Sequence, residues 1–119
     1  MSTRKLAPTL IDMLDAIHGI EAATSGKSFA DYSADWLLRR GVERGIEIIS
    51  EASRRLPDSV TDTHPEIPWK QIRGVGNLLR HEYHTIADKI IWAVVTDHIG
   101  PLKAAVVDLR KVHSGQPKN

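Results

Sequence analysis

Cysteine is absent from the 119 residues, and aromatic side chains make up only 5% of them. The absence of cysteine excludes a disulfide scaffold, a thiol nucleophile and a thiolate metal site, and it is typical of a reducing compartment. The chain also lacks a large excess of charge of either sign, since 16 lysines and arginines are balanced by 15 aspartates and glutamates. A net charge of +1 gives no global field to attract nucleic acid, so any RNA contact must rest on a local patch.

Long apolar runs are missing as well. The uninterrupted apolar stretches, such as residues 90–95, are only a few residues long, so the sequence predicts neither a signal peptide nor a membrane span. We therefore expect a cytoplasmic protein with no membrane partner. The length suits a single domain that covers residues 1–119, with no internal repeat.

Apolar residues recur at the three- and four-residue spacing of helices, and no stretch shows the alternation of a half-buried strand. The first stripe predicts a helix over residues 7–24, which Ser25 and Gly26 should end. The pattern then predicts a short helical turn over residues 28–33, a long helix over 35–56, one true loop over 57–68 and a helix over 69–83. The fold class is therefore all-α, a bundle of four to five helices.

The last third of the chain carries two signals for helix ends. Thr85 followed by Asp88 resembles a capping box, so we expect a helix to open there and continue to about His98. Pro101 then interrupts the pattern. This proline must either start a fresh helix over residues 102–112 or kink a continuous one.

The long helix over residues 35–56 carries glycines and arginines, each with two interpretations. Gly41 and Gly45 each cost up to about 1 kcal/mol relative to alanine, which indicates close approach of another helix within the fold or across a dimer interface. Arginines follow one flank of this helix, at Arg39, Arg40, Arg44, Arg54 and Arg55. A solvated face balanced by neighbouring glutamates is favoured over an RNA-tracking groove.

Residues 69–86 carry the polar side chains best suited to phosphate chemistry. At helical spacing, one arc of this stretch holds Arg73, Asn77, Arg80, His81 and His84, and the opposite side holds Ile72, Val75, Leu79, Tyr83 and Ile86. A solvated face ordinarily carries lysine and glutamate, whereas guanidiniums bind phosphate as a fork and imidazoles transfer protons. The stretch is therefore a candidate site.

These residues stand within PEIPWKQIRGV and the following GNLLRHEYHTI, and the chain resembles HepT-like proteins of the HEPN superfamily over nearly its whole length. The segments WLLRRGVERGIEIISEASRRL and IWAVVTDHIGPLKAAV contribute to the resemblance. It implies a HEPN-type helical bundle that assembles as a homodimer or higher. It also implies a metal-independent ribonuclease toxin that cuts RNA and is paired with a minimal nucleotidyltransferase antitoxin.

The signature of that family is an arginine, usually followed by asparagine, and then a histidine with a tyrosine two residues later. Asn77, His81 and Tyr83 match this signature, and Gly76 stands where the arginine is expected. RNA cleavage by attack of its own 2′-hydroxyl requires a base, an acid and a cation. The resemblance makes His81 the acid or base, with Asn77 positioning the site, and a second His81 in a dimer would take the complementary role.

Because Gly76 has no side chain, the cation of this reaction must come from another residue. Arg73 lies about one turn before Gly76 and Arg80 about one turn after it, each within roughly 60° around the helix. Our hypothesis is that Arg80 or Arg73 replaces the missing arginine, in the space that glycine leaves. Two alternatives remain, a catalytically inactive HEPN adaptor that binds the nucleotidyltransferase, and a structural dimer whose histidines are incidental.

The resemblance implies a different role for Tyr83. In that role, the nucleotidyltransferase silences the toxin by adding AMP to this tyrosine. Tyr83 lies at the edge of the apolar arc, so its ring is expected to pack while its hydroxyl stays reachable. An interface tyrosine with a bonded hydroxyl is the alternative.

Metal and cofactor sites are not favoured by the spacing. In HEYHT the second histidine is His84, whereas a zincin helix would need it at Thr85, and no cysteine completes a usual zinc set. RGVGN lacks the third glycine and the preceding strand of a dinucleotide fingerprint. We therefore expect neither a metal nor a cofactor.

Overall fold

The computed structural model describes residues 6–114, of which 83% are helical and none lies in a strand. The elements in chain order are α1 (Leu6–Thr24), α2 (Phe29–Ala34), α3 (Trp36–Arg54), α4 (Asp58–Thr61), α5 (Trp69–Arg80), α6 (His84–Ala93), a π-helical segment (Val94–His98) and α7 (Ile99–Ser114). The last three are continuous, so the described residues form six helices, two of them short. The predicted all-α, HEPN-type bundle is confirmed.

Helix α1 forms the centre of the bundle. It begins within one residue of the predicted start and ends as predicted, where Gly26 adopts φ +74°, a left-handed conformation that favours glycine. Its apolar stripe is completely buried at Leu10, Met13 and Ile17. Because α1 packs on both α3 and α7, this stripe joins the two halves of the chain.

Side chains fix the starts of α2 and α3. Ser28 Oγ accepts the backbone N–H of Asp31 at 3.1 Å, and the carboxylate of Asp31 accepts the N–H of Ser28 at 2.9 Å. This reciprocal capping box starts α2 at the next residue. Asp35 accepts the N–H of Leu38 at 3.0 Å, so it caps α3 rather than forming its first turn.

The two glycines of α3 have different surroundings. A Cβ on Gly45 would lie 2.9 Å from the side chain of Ile20, so glycine is what lets α1 approach α3 this closely. The predicted close approach within the fold is therefore found at Gly45. A Cβ on Gly41 would meet no described atom within 4 Å, so its packing role stays a prediction for a dimer interface.

The segment 57–68 contains more structure than the predicted loop. A single helical turn, α4, begins after Pro57. Farther along, the indole N–H of Trp69 donates to the carbonyl of His64 at 3.0 Å, and His64 Nε2 lies 3.0 Å from the carboxylate of Asp108 on α7. These contacts fix the point at which α5 starts.

Residues 84–114 form one continuous rod, in which the π-helical segment precedes Pro101. Proline has no N–H for the carbonyl of Asp97, so a regular helix cannot pass it unchanged. Of the two predicted alternatives, the continuous helix is the one observed. Length and composition alone would let His84–His113 cross a membrane, as they would many core helices of soluble proteins, and 28% of its most apolar window is buried in the bundle.

The predicted capping box of Thr85 and Asp88 is wrong. Helix α6 begins at His84 with Tyr83 at its N-cap, and no side chain in the described part of the chain caps it. Asp88 is only 3% exposed and its carboxylate lies 3.7 Å from Arg39 of α3. The carboxylate therefore faces inward, toward a cation, rather than back along its own helix.

Candidate functional site

The candidate site surrounds the turn between α5 and α6. Helix α5 ends at Arg80, three residues before the predicted end, and His81 leaves the helical backbone at φ −110° and ψ 4°. The chain turns over residues 81–83, and α6 then buries Ala87 and Ile91. The single helical face predicted over residues 69–86 is therefore wrong beyond Arg80.

Four candidate side chains are exposed around this turn. Asn77 and Arg80 are exposed in the last part of α5, and His81 is exposed at its end. Tyr83 is 81% exposed, so the prediction that its ring packs in an apolar arc is wrong. Ile86 of the same predicted arc is 43% exposed. The turn thus presents an amide, a guanidinium, an imidazole and a phenol to solvent.

Arg73 lies two turns earlier, and its guanidinium is directed at the end of α3. Nε donates to the carbonyl of Ser53 at 3.3 Å, and Nη2 donates to the carbonyl of Leu56 at 3.3 Å and to Thr61 Oγ1 at 3.4 Å. Nη1 lies 3.7 Å from the carboxylate of Asp58. Carbonyls at a helix end lack intrahelical donors, so Arg73 caps α3.

Gly76 is buried against α3 rather than exposed at the site. A Cβ at this position would lie 3.9 Å from Ser50 Oγ, which is an ordinary van der Waals distance, so the position has room for the start of a side chain. Ser50 Oγ itself donates to the carbonyl of Arg73 at 3.0 Å. Position 76 lies beside Ser50, whereas Arg73, which comes earlier in α5, contacts Ser53, which comes later in α3. The two helices therefore run antiparallel.

A second polar cluster lies beneath His84, the first residue of α6. Its Nε2 is 4.0 Å from the buried carboxylate of Asp88, which also faces Arg39. Burial raises the pKa of nearby Glu43, although Arg40, whose Nη2 donates to Glu43 at 3.0 Å, opposes the rise. His84 therefore stands over two carboxylates between α3 and α6, each of which also faces an arginine of α3.

Most of the arginine flank of α3 is paired with carboxylates. The ion pairs are Arg39 with Asp88, Arg40 with Glu43, Arg44 with Glu47 and Glu51, and Arg55 with Asp12. These pairs fit the predicted solvated face better than an RNA-tracking groove.

No group of three or more histidine, aspartate and glutamate side chains within residues 6–114 is arranged to hold a metal ion. His81 and His84 stand on either side of the turn rather than on one helical face. The expectation of a site without metal or cofactor stays a prediction.

Sequence reasoning missed the inward roles of Ser50 and Asp88. Ser50 is 1% exposed and Asp88 is 3% exposed. A signal for Ser50 was available, because it follows the core residue Ile46 by four positions and so lies on the buried stripe of α3. Partners some 20 residues away, such as the carbonyl of Arg73, leave no comparable signal.

Comparisons with known proteins agree with this fold. The sequence profile described as "Ribonuclease HepT-like" matches residues 13–109. The chain is 35% identical over 102 residues to "Probable ribonuclease HepT" of Thermococcus cleftensis, covering 86% of this chain and 93% of that protein. It is 33% identical over 102 residues to "Putative RNase TTE0752" of Caldanaerobacter subterraneus subsp. tengcongensis, covering 86% and 91%. No solved structure matches the chain.

The chain therefore belongs to the HepT-like ribonuclease family, as the resemblance in its sequence indicated. The candidate turn lies inside the matched residues.

Proposed function

We propose that this protein is a metal-independent endoribonuclease toxin of a toxin–antitoxin pair, whose antitoxin is a minimal nucleotidyltransferase. The observation that carries the proposal is the exposed turn of a HepT-like chain, where Asn77, Arg80 and His81 lie within five residues of one another. Phosphodiester cleavage needs a cation and groups that transfer protons, which the guanidinium and the imidazole provide, and the amide can position the phosphate.

In the proposed reaction, the 2′-oxygen of RNA attacks the adjacent phosphorus while the bond from phosphorus to the 5′-oxygen breaks. One imidazole takes the proton of the 2′-hydroxyl, and a protonated imidazole gives a proton to the leaving 5′-oxygen. His81 of one subunit and His81 of a second subunit fill these two roles, and Asn77 positions the phosphate. The products are a 2′,3′-cyclic phosphate and a 5′-hydroxyl.

Arg80 is the better of the two α5 candidates for the phosphate cation. It is exposed next to His81 and has no carboxylate partner among the described residues. The donors of Arg73 are directed at carbonyls of α3, two turns from His81. We therefore assign phosphate binding to Arg80 and helix capping to Arg73.

A homodimer is supported by apolar surface beside α5. A groove of about 340 Å³ separates α5 from the rod, and its lining includes Val75, Leu78, Ile90 and Val94. Leu78 is 44% exposed. Burial of this surface against a second copy would bring two candidate turns into one assembly.

Tyr83 is the proposed site of silencing by the nucleotidyltransferase. Its hydroxyl would bond to the α-phosphorus of ATP as pyrophosphate leaves, which places AMP on the tyrosine. The 81% exposure of Tyr83 supports access by another protein. The AMP phosphate, two residues from His81, would compete with RNA phosphate for the same cation.

Gly76 favours one alternative, a HEPN adaptor that has lost nuclease activity and binds the nucleotidyltransferase. Cleavage of a labelled RNA by the purified protein in chelator distinguishes the two. We expect wild type and His18→Ala, which removes an exposed histidine of α1, to cut. His81→Ala should lose activity by about 10²-fold or more, since general acid–base catalysis contributes that much. An inactive wild type that still binds the nucleotidyltransferase would establish the adaptor instead.

A further inference from the structure

Arg54 at the end of α3 directs its guanidinium at the backbone of α5. Nη1 donates to the carbonyl of Arg73 at 2.8 Å and to Ser50 Oγ at 3.4 Å. Ser50 Oγ is also the atom nearest to a Cβ built at position 76, at 3.9 Å. The guanidinium of Arg54 therefore lies in the region that an arginine side chain at position 76 would reach.

Arg54 differs from the neighbouring arginines in its charge balance. Arg39, Arg40, Arg44 and Arg55 each face a carboxylate, whereas none pairs with Arg54 among the residues that the structure describes. Arg54 is exposed, and Nη1 is the atom that anchors it. A guanidinium carries five N–H donors, so most of the fork stays available to an external anion.

The anchor directs Arg54 toward the candidate site. In an α-helix the carbonyl of Arg73 accepts the backbone N–H of Asn77, so Arg54 lies alongside the turn that carries Asn77. His81 follows Asn77 by one further turn. The guanidinium of Arg54 and the imidazole of His81 therefore lie on either side of Asn77 along α5.

We propose that Arg54 binds the RNA phosphate at this site and supplies from α3 the guanidinium that α5 lacks at position 76. This inference rests on the proposed ribonuclease function and extends it to a second helix. Nη1 stays on the carbonyl of Arg73, and the remaining N–H groups of Arg54 bond to the non-bridging phosphate oxygens. Arg80 faces the same phosphate from the end of α5, so the charge developing on phosphorus is held from two helices.

The test compares Arg54→Ala with Arg55→Ala, which removes a neighbouring arginine whose partner is Asp12. In the metal-free cleavage assay, we expect Arg54→Ala to lose about 10²- to 10³-fold in rate, the effect of removing one charge-stabilising donor group. Arg55→Ala should stay within about twofold of wild type. Circular dichroism of each variant establishes that both are folded.

Moving the guanidinium from position 54 to position 76 tests whether the site needs the guanidinium itself. A purely structural role of Arg54 in α3 would not be restored by an arginine on α5. Position 76 has helical backbone and accepts a Cβ at an ordinary van der Waals distance, so we expect Gly76→Arg in the Arg54→Ala background to recover at least about tenfold of the lost rate. Arg54→Lys keeps the charge but loses the fork, and we expect it to recover less than the transferred arginine.

Binding of a 2′-deoxy oligonucleotide analogue, followed by fluorescence anisotropy, separates this inference from the proposed function. Arg54→Ala should weaken binding and lower the slope of log affinity against log salt by about 0.7, the value of one phosphate contact on a single strand. If wild type and Arg54→Ala cut and bind equally while His81→Ala is inactive, the inference is wrong and the ribonuclease stands. If no variant cuts, the nuclease proposal fails, and equal binding by wild type and Arg54→Ala would overturn this inference too.

Discussion

The two arginines of α5 have different surroundings, although their side chains are chemically identical. Arg73 directs its donors to the carbonyls of Ser53 and Leu56, so its work is structural. Arg80 is exposed and faces no carboxylate within residues 6–114, so its guanidinium is available to an external anion. The direction of the guanidinium, rather than the residue type, separates the two roles.

Removal of Arg73 should therefore destabilise the fold, and removal of Arg80 should not. Arg73→Ala leaves the carbonyl of Leu56 without its donor, and we expect the free energy of unfolding to fall by about 1–3 kcal/mol. Arg80→Ala should change it by less than about 0.5 kcal/mol, as surface substitutions usually do. Urea unfolding measures both, and equal losses in the two variants would contradict the assigned roles.

Glu43 gives the fold a pH dependence of predictable sign. Burial raises its pKa in the folded state, so the folded protein holds the proton of Glu43 more tightly than the unfolded chain does. The stability gained from this is present below the unfolded pKa of about 4.3 and is lost as pH rises through the folded value. Glu43→Gln has no titrating carboxyl at this position, so it does not lose stability in this way as pH rises.

We therefore expect the stability of wild type relative to Glu43→Gln to fall as pH rises from about 4 to 7. Urea unfolding of both proteins across this range tests the sign. A difference that rises with pH would show that the ion pair with Arg40 outweighs burial.

The packing of the bundle depends on contacts between helices. The two glycines of α3, one turn apart, show that such a contact can be close at one position and absent at the next. Gly45→Ala would place a methyl group 2.9 Å from Ile20, whose stiff, buried side chain must shift, so we expect a loss of about 1–3 kcal/mol. Gly41→Ala meets open space and should gain up to about 1 kcal/mol in helix propensity. Thermal unfolding of both variants tests the contrast, and a stabilising Gly45→Ala would refute the close approach.

Several helix starts and ends were predictable from local signals, although the capping-box pattern of Thr85 and Asp88 was misleading. Ser25 and Gly26 end α1, and Asp35 caps α3, within one or two residues of the predicted bounds. The end of α5 was not predictable, because His81 carries no strong stop signal and the turn is set by the packing of α6. A helical face drawn across such a turn groups residues that the fold separates.

Part of the candidate site was predictable, because some of its residues are close together in the sequence. Asn77, His81 and Tyr83 are adjacent in sequence, so a local motif finds them. The cross-helix contacts of Arg54 and Ser50 with the carbonyl of Arg73 join residues about 20 positions apart. Pairings of this kind depend on how α3 packs against α5, and periodicity alone does not specify them.

The whole molecule has apolar surface that the monomer does not cover. Much of the rod over residues 84–113 lies outside the core, and the groove beside Leu78 faces it. The proposed reaction uses two imidazoles, and we propose that a homodimer formed on this surface supplies the second one.

Disruption of this surface should therefore remove both assembly and activity. We expect wild type to sediment as a dimer, and Leu78→Glu to sediment as a monomer with strongly reduced RNA cleavage, because a buried unpaired carboxylate is costly. Ile11→Glu, a comparable exposed apolar position on α1, should leave the dimer intact. A wild-type monomer that cuts RNA would contradict the two-subunit site.

The chemical nature of the RNA ends tests the central claim most directly. After cleavage in chelator, attack by the 2′-hydroxyl leaves a 2′,3′-cyclic phosphate and a 5′-hydroxyl, which mass spectrometry of a short defined RNA identifies. We predict these ends with wild type and uncut RNA with His81→Ala. Ends with a 3′-hydroxyl and a 5′-phosphate, or cleavage that survives His81→Ala, would contradict metal-free proton transfer by His81.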